Sequence, residues 1–262
     1  NLPVWYFDLL TSMLPRHRVA ITAPFYAGAS EVTVGQFRRF VEATGYRTEA
    51  ERDGKGGGNW VGDRQVRKPE FVWQTPAGEP AGGDHPAVHL TYADARAFCD
   101  WLSKSEGRTY RPPTEAEWEY FCRAGTATLF HTGEALPEGA GNCAMRIRGL
   151  ARVGSYPSNP FGLHDLHGNV WEWCQDYYGD TTYATSPKAN PGGPRDGNHR
   201  VIRGGAWDTE EVRCGSAYRL ACPPTDRDAF VGLRVVLVGD LKPNPTAQPT
   251  TPPADTSEPN KP

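Results

Sequence analysis

The chain has 262 residues, a formal net charge of −3 and an isoelectric point near 6.2, so its charge balance gives no case for nucleic acid or an anionic membrane as partner. No apolar run approaches the length of a transmembrane helix, and the six cysteines, at 99, 122, 143, 174, 214 and 222, lack the spacings of a structural zinc site. Only 38% of residues are hydrophobic, but eight tryptophans restore buried area, while 29 glycines and 24 prolines describe a fold rich in turns.

Residues 1–15 lack the basic start of a signal peptide and read as an N-terminal extension or the start of a fragment. His17 to Phe25 (HRVAITAPF) predicts a short strand with Val19 and Ile21 on one face. In TVGQFRRFVEATG, Thr33 and Gln36 make a capping box, Val34, Phe37 and Val41 share a face with Phe40 beside them, and Gly45 closes the helix. Residues 47–83 read as a long loop that packs through Trp60 and Trp73 or forms a binding surface. Pro86 places His85 and His89 on an extended segment with their side chains on the same side, a geometry open to metal ligation or to a structural role.

Thr91 with Asp94, and Thr114 with Glu117, open two further helices. The first buries Ala97, Phe98, Trp101 and Leu102; the second buries Trp118, Phe121 and Cys122 and ends at Gly125. From Thr126 onward turns and short strands alternate, clearest at Arg200 to Gly205 and Val231 to Val238. Beyond Gly239, proline and threonine dominate with almost nothing to bury, which predicts a disordered tail over 240–262 after one α+β domain over 16–239.

Two stretches carry the chemistry. In GLHDLHGNVWEWCQD, Gly162 and Gly168 permit sharp bends, Asp165 and Glu172 supply hard oxygens, and Trp171 and Trp173 supply apolar bulk. Such a turn suits Ca²⁺, or else a loop pinned by hydrogen bonds with Asp165 capping it and His164 and His167 bonding its backbone. In RGGAWDTEEVRCGSAYR, Cys214 is a candidate nucleophile beside Arg213 and Arg219, or a buried structural thiol. Arg203, Arg219 and Arg234 should converge, either forking to carboxylates such as Glu115, Glu117 or Asp176 and fixing the loops, or lining an anion-binding pocket. Trp60, Trp73 and Trp207 offer a glycan surface or fill a loop-rich core.

EVTVGQFRRFVEATGY, RPPTEAEWEYFCRAGT, NPFGLHDLHGNVWEWCQD, RVIRGGAW and VGLRVV occur in an order that resembles the formylglycine-generating enzyme (sulfatase-modifying factor) family, from Arg16 to Val238. The resemblance implies an α+β variant of the C-type-lectin fold with three short helices, short antiparallel strands and much irregular loop. It also implies copper(I) held by two cysteines five positions apart after RGGS, where dioxygen converts a cysteine of a sulfatase peptide into formylglycine. Here Cys214 falls on the second cysteine, but Thr209 stands at the first and Ala206 replaces the serine. The same resemblance assigns calcium to Asp165, the carbonyls of Gly168 and Val170, and Glu172. A further calcium position would begin at Asn142, with no acidic partner between Glu138 and Asp165. It pairs Cys122 with Cys222, whereas the partner of Cys99 is replaced by Val235. The expectation is therefore a domain of this family, with oxidase chemistry at Cys214 or, alternatively, a non-catalytic lectin-like module binding a peptide, glycan or protein. Calcium and copper are its candidate metals, a monomer its expected state, and an extracytoplasmic setting its expected location.

Overall fold

The computed structural model describes residues 12–239; the expected tail over 240–262, and residues 1–11 of the N-terminal extension, lie outside them. Four helical segments open on capping boxes: α1 (Val34–Thr44), the single turn α2 (Glu49–Arg52), α3 (Tyr92–Glu106) and α4 (Glu115–Arg123). In each, a threonine precedes the helix and an acid or amide at the third helical position answers it, so two otherwise orphaned backbone donors are satisfied. Gly45 and Gly107 close α1 and α3 in the left-handed region. On α4 that place falls to Ala124, one residue before the expected Gly125.

The buried face of α1 is Val34, Phe37 and Phe40, with Val41 at its margin. It packs on α3, where Phe37 stacks on Phe98 at 5.8 Å and Trp73 closes the cluster at 5.3 Å from Phe37. The hidden residues of α3 are Tyr92, Asp94, Ala95, Phe98 and Cys99, while Ala97, Trp101 and Leu102 border the core.

Two sheets complete the core. In the larger, β5 (Trp171–Tyr177) pairs antiparallel with β6 (Arg200–Arg203) and parallel with β8 (Val231–Gly232), and β6 pairs antiparallel with β7 (Arg219–Cys222). In the smaller, β1 (Tyr26–Ala27) and β4 (Thr109–Arg111) flank β9 (Val236–Val238). The expected strand over Val231 to Val238 is thus split between the sheets, because Leu233 and Arg234 are buried in the crossing. The expected strand over His17 to Phe25 reduces to one bridge, Ala20 to Ala189, and the pairing begins at Tyr26.

The segment 47–83 is more ordered than its sequence suggests. It holds α2 and a hairpin, β2 (Gly57–Val61) with β3 (Arg64–Lys68), turning at Gly62 and Asp63. β3 is largely solvent-facing and charged, so it carries no hydrophobic alternation to read. All six cysteines are free. The Cys122–Cys222 bridge does not form: Cys122 lies on the buried face of α4 with Trp118, and Cys222 sits in the main core with Trp171 and Trp173.

Candidate functional site

The 162–170 stretch that leads into β5 turns repeatedly through left-handed positions. Asp165, Gly168 and Asn169 have φ of 60°, 108° and 65°. At Gly168 a Cβ would lie 2.0 Å from the carbonyl oxygen of Asn142, so only glycine fits. Asn169 ties the turns together: its Oδ1 accepts from the Ala151 amide at 2.9 Å and from Asn142 at 3.2 Å, and its Nδ2 donates to Glu31 at 3.0 Å.

Asp165 Oδ2 accepts from the Gly154 amide at 2.6 Å, whereas its Oδ1 is buried without a partner. Glu31 Oε2 and Asn142 Oδ1 are buried without partners too. Burial raises the pKa of Asp165, and burial followed by the charge of Asp165 raises that of Glu31. Glu172 differs, because Arg234 forks it at 2.7–3.0 Å and Trp118 donates to it at 2.7 Å. Arg234 also donates to the carbonyls of Gly28 and His164, both at 2.8 Å. Of the side chains expected around calcium, Asp165 and Asn142 each keep an unpartnered oxygen that fits a hard cation, while Glu172 is committed to a guanidinium. Glu31 escaped the sequence reading because it precedes a capping box in a stretch that shows no ligand spacing.

His85 and His89 do not converge. His85 lies 3.3 Å from Asp84, while His89 takes a left-handed backbone (φ 58°) and is buried between the carbonyls of Arg227 and Pro76. His164 bonds the Tyr156 carbonyl and His167 the Cys214 carbonyl, each at 2.8 Å. Burial lowers the pKa of both His89 and His167 to about 4. Among the described residues no group of three His, Cys, Asp or Glu is placed to hold a metal.

Arg219 forks Glu115 through two contacts of 2.7 Å, and Arg203 joins it through Glu115 and Glu119. The rest of the expected web is rearranged: Glu117 pairs with Arg111, Arg234 with Glu172, and Asp176 accepts from the Glu115 amide. Without an arginine fork, Asp176 is raised to about 7 by burial and by the charge of Glu115.

After β6, Gly204 and Gly205 turn the chain at positive φ into the loop that carries Thr209. The Thr209 hydroxyl accepts from the Ala206 amide at 3.1 Å. Cys214 is fully buried behind this loop, its sulfur 3.9 Å from the Thr209 carbonyl and 3.8 Å from that of Glu210. Burial pushes its thiol pKa well above the ordinary range. With a hydroxyl engaged in a turn at 209, the residues at 209 and 214 do not fit a paired-thiolate copper site. Trp73 and Trp207 are buried, and Trp60 is half-buried with its indole N–H on Asp208 at 2.9 Å, so the tryptophans fill the core and brace the loop. On the outer side of the loop lies a cleft of about 410 Å³ whose walls include Asp208, Thr209, Glu210, Arg213, Tyr218 and Leu220 but not Cys214.

Capped helices, two small sheets and long loops stitched by buried Arg–Glu pairs define the formylglycine-generating-enzyme class of α+β fold, a variant of the C-type-lectin fold. Residues 7–238 match the family described as the sulfatase-modifying factor enzyme 1-like domain, and the chain belongs to that family. It is 33% identical to the formylglycine-generating enzyme of Streptomyces coelicolor, across 87% of this chain and 82% of that protein. Against the Bos taurus formylglycine-generating enzyme it is 34% identical across 79% of this chain, and spans 62% of that protein's length. The solved structure of PvdO from Pseudomonas aeruginosa superposes with a TM-score of 0.71 at 30% identity, covering 86% of this chain and 84% of that one.

Proposed function

We propose that this domain binds an extended segment of a protein partner in the cleft over the 208–213 loop, without the paired-cysteine copper chemistry of a formylglycine-generating enzyme. The observation that carries the reading is the loop itself. Thr209 lines the cleft while the Cys214 thiol is sealed behind the backbone, so an incoming side chain meets a hydroxyl and carboxylates. Glu210, Asp208, Asp226 and Asp228 outnumber Arg213 around the cleft, and Leu220 and Phe230 give it an apolar patch. The complementary segment carries an aliphatic or aromatic side chain flanked by lysine or arginine.

A synthetic peptide array of randomised nonamers, probed with the purified chain, tests this directly. Selection of basic residues beside a hydrophobic one is expected; absence of capture, or selection of acidic peptides, would overturn the reading. Calcium belongs to the same proposal: the unpartnered oxygen of Asp165, with the carbonyls of Gly168 and Val170 and the nearby Glu31 carboxyl, would hold it and fix the turns beneath β5. A calcium-dependent domain joined to a Pro/Thr-rich segment fits an extracytoplasmic setting, where calcium is plentiful.

A further inference from the structure

A cavity of about 450 Å³ lies between α4 and the strap formed by residues 13–22, and it shares no wall residue with the cleft over the 208–213 loop. The strap is pinned along the 186–190 loop. The amide of Ala20 donates to the Lys188 carbonyl at 2.8 Å, that of Asn190 donates to the Ala20 carbonyl at 2.9 Å, and Thr22 and Asn190 exchange two further bonds. His17 packs its ring on Tyr183 at 4.9 Å. Met13, Val19 and Ile21 of the strap, Ala116 and Tyr120 of α4, and Pro191 give the cavity an apolar lining. The carboxyls of Glu115, Glu119 and Asp176 also reach its wall, and the two glutamates are committed: Arg219 forks Glu115, while Arg203 and Arg123 hold Glu119. Asp176 is only 3% exposed. Its Oδ2 accepts from the Glu115 amide at 2.8 Å, and among the described residues nothing donates to its Oδ1. That oxygen lies beside Gly193, which lines the same cavity: a Cβ there would sit 3.3 Å from it.

We propose that this cavity binds a small primary amine, whose ammonium group donates to the free oxygen of Asp176 and whose apolar body lies against the strap and α4. A buried carboxylate oxygen without a donor is costly, and a charged donor supplies the missing bond. With Oδ2 occupied, Asp176 offers a single acceptor, which suits a compact ammonium better than the planar fork of a guanidinium. A carboxylate ligand would meet the charge of Asp176, while Arg123 on the same wall is engaged with Glu119 and the Thr128 carbonyl and Arg16 is exposed to solvent. The volume is that of a small-molecule site. Burial and the charge of Glu115 raise Asp176 to about 7, and an adjacent ammonium favours its ionised form.

The test is an NMR titration of the full chain with phenethylamine at about pH 8, where Asp176 is ionised and the amine remains protonated, beside phenethyl alcohol and hydrocinnamate. Phenethylamine should bind with intermolecular NOEs to Val19, Ile21 and Tyr120. Phenethyl alcohol should bind about tenfold more weakly or worse, and hydrocinnamate not at all. These comparisons use the wild type and need no variant to fold. Asp176→Asn, which keeps the shape of the side chain, should abolish the preference for the amine over the alcohol, and Ala116→Phe, which fills the cavity, should block both. No binding of the amine, equal binding of amine and alcohol by the wild type, NOEs confined to Leu220 and Phe230 of the cleft, or an undiminished preference in folded Asp176→Asn would each overturn the proposal.

Discussion

Arg234 and Glu172 are almost completely hidden from solvent, and each satisfies the other. Replacing Arg234 by Met would strand a buried carboxylate and should cost about 3–5 kcal/mol in urea unfolding. The sequence showed three arginines that had to find acids, and Arg219 did find Glu115. It could not show that Arg234 belongs to Glu172, since that depends on how the chain crosses between the sheets after β8. The histidines were legible only as ring nitrogens near an interesting turn, because burial is a tertiary property.

That burial gives His89 and His167 a pH signature. Unfolded, each takes up a proton near its ordinary value of about 6.5; folded, only near 4. Between those values the unfolded chain binds more protons, so their contribution to stability, fully present above about pH 6.5, is lost as pH falls toward 4. Urea unfolding of wild type and His89→Gln across that window should differ by a slope of about one proton. Equal slopes, or NMR titration of the His89 ring near its ordinary pKa, would contradict the assignment.

Among elements, helices announced themselves and irregular strands did not. A threonine followed three residues later by an acid or amide is a local device, and it marked α1, α3 and α4 by backbone chemistry alone. Its recurrence at Thr48 and Glu51 was hidden because α2 is too short to show an apolar stripe. β8 and β9 were read as one strand because a continuous apolar run does not reveal where a chain changes sheets. Two substitutions separate the local from the tertiary contributions. Thr114→Ala removes one cap and should destabilise by about 1 kcal/mol. Gly168→Ala forces a methyl into the Asn142 carbonyl at positive φ and should cost about 3 kcal/mol or more. Comparable losses in thermal unfolding would mean that the turn yields more readily than its geometry implies.

At the scale of the whole molecule, five ordered motifs were enough to place the chain in its family, but the site they implied was only partly the site that folded. Thr209 stood out in sequence as a departure. That Glu31 approaches Asp165 depended on long loops whose paths no periodicity records. The calcium reading makes a global prediction: at a hundredfold excess over its dissociation constant, calcium should add about 2.7 kcal/mol of stability. The accompanying rise in melting temperature should disappear in Asp165→Asn and on chelation; a wild type indifferent to calcium would exclude the site.

The most direct test of the cleft is fluorescence anisotropy with a labelled basic–hydrophobic nonamer chosen by the array, titrated with wild type, Glu210→Lys and Leu220→Asp. The account predicts affinity at least tenfold weaker in each variant, about 1.4 kcal/mol, with the Glu210→Lys effect shrinking at high salt. Unchanged affinity in both variants, with the fold intact, would show that the peptide binds elsewhere and that the cleft over Thr209 is not the recognition surface.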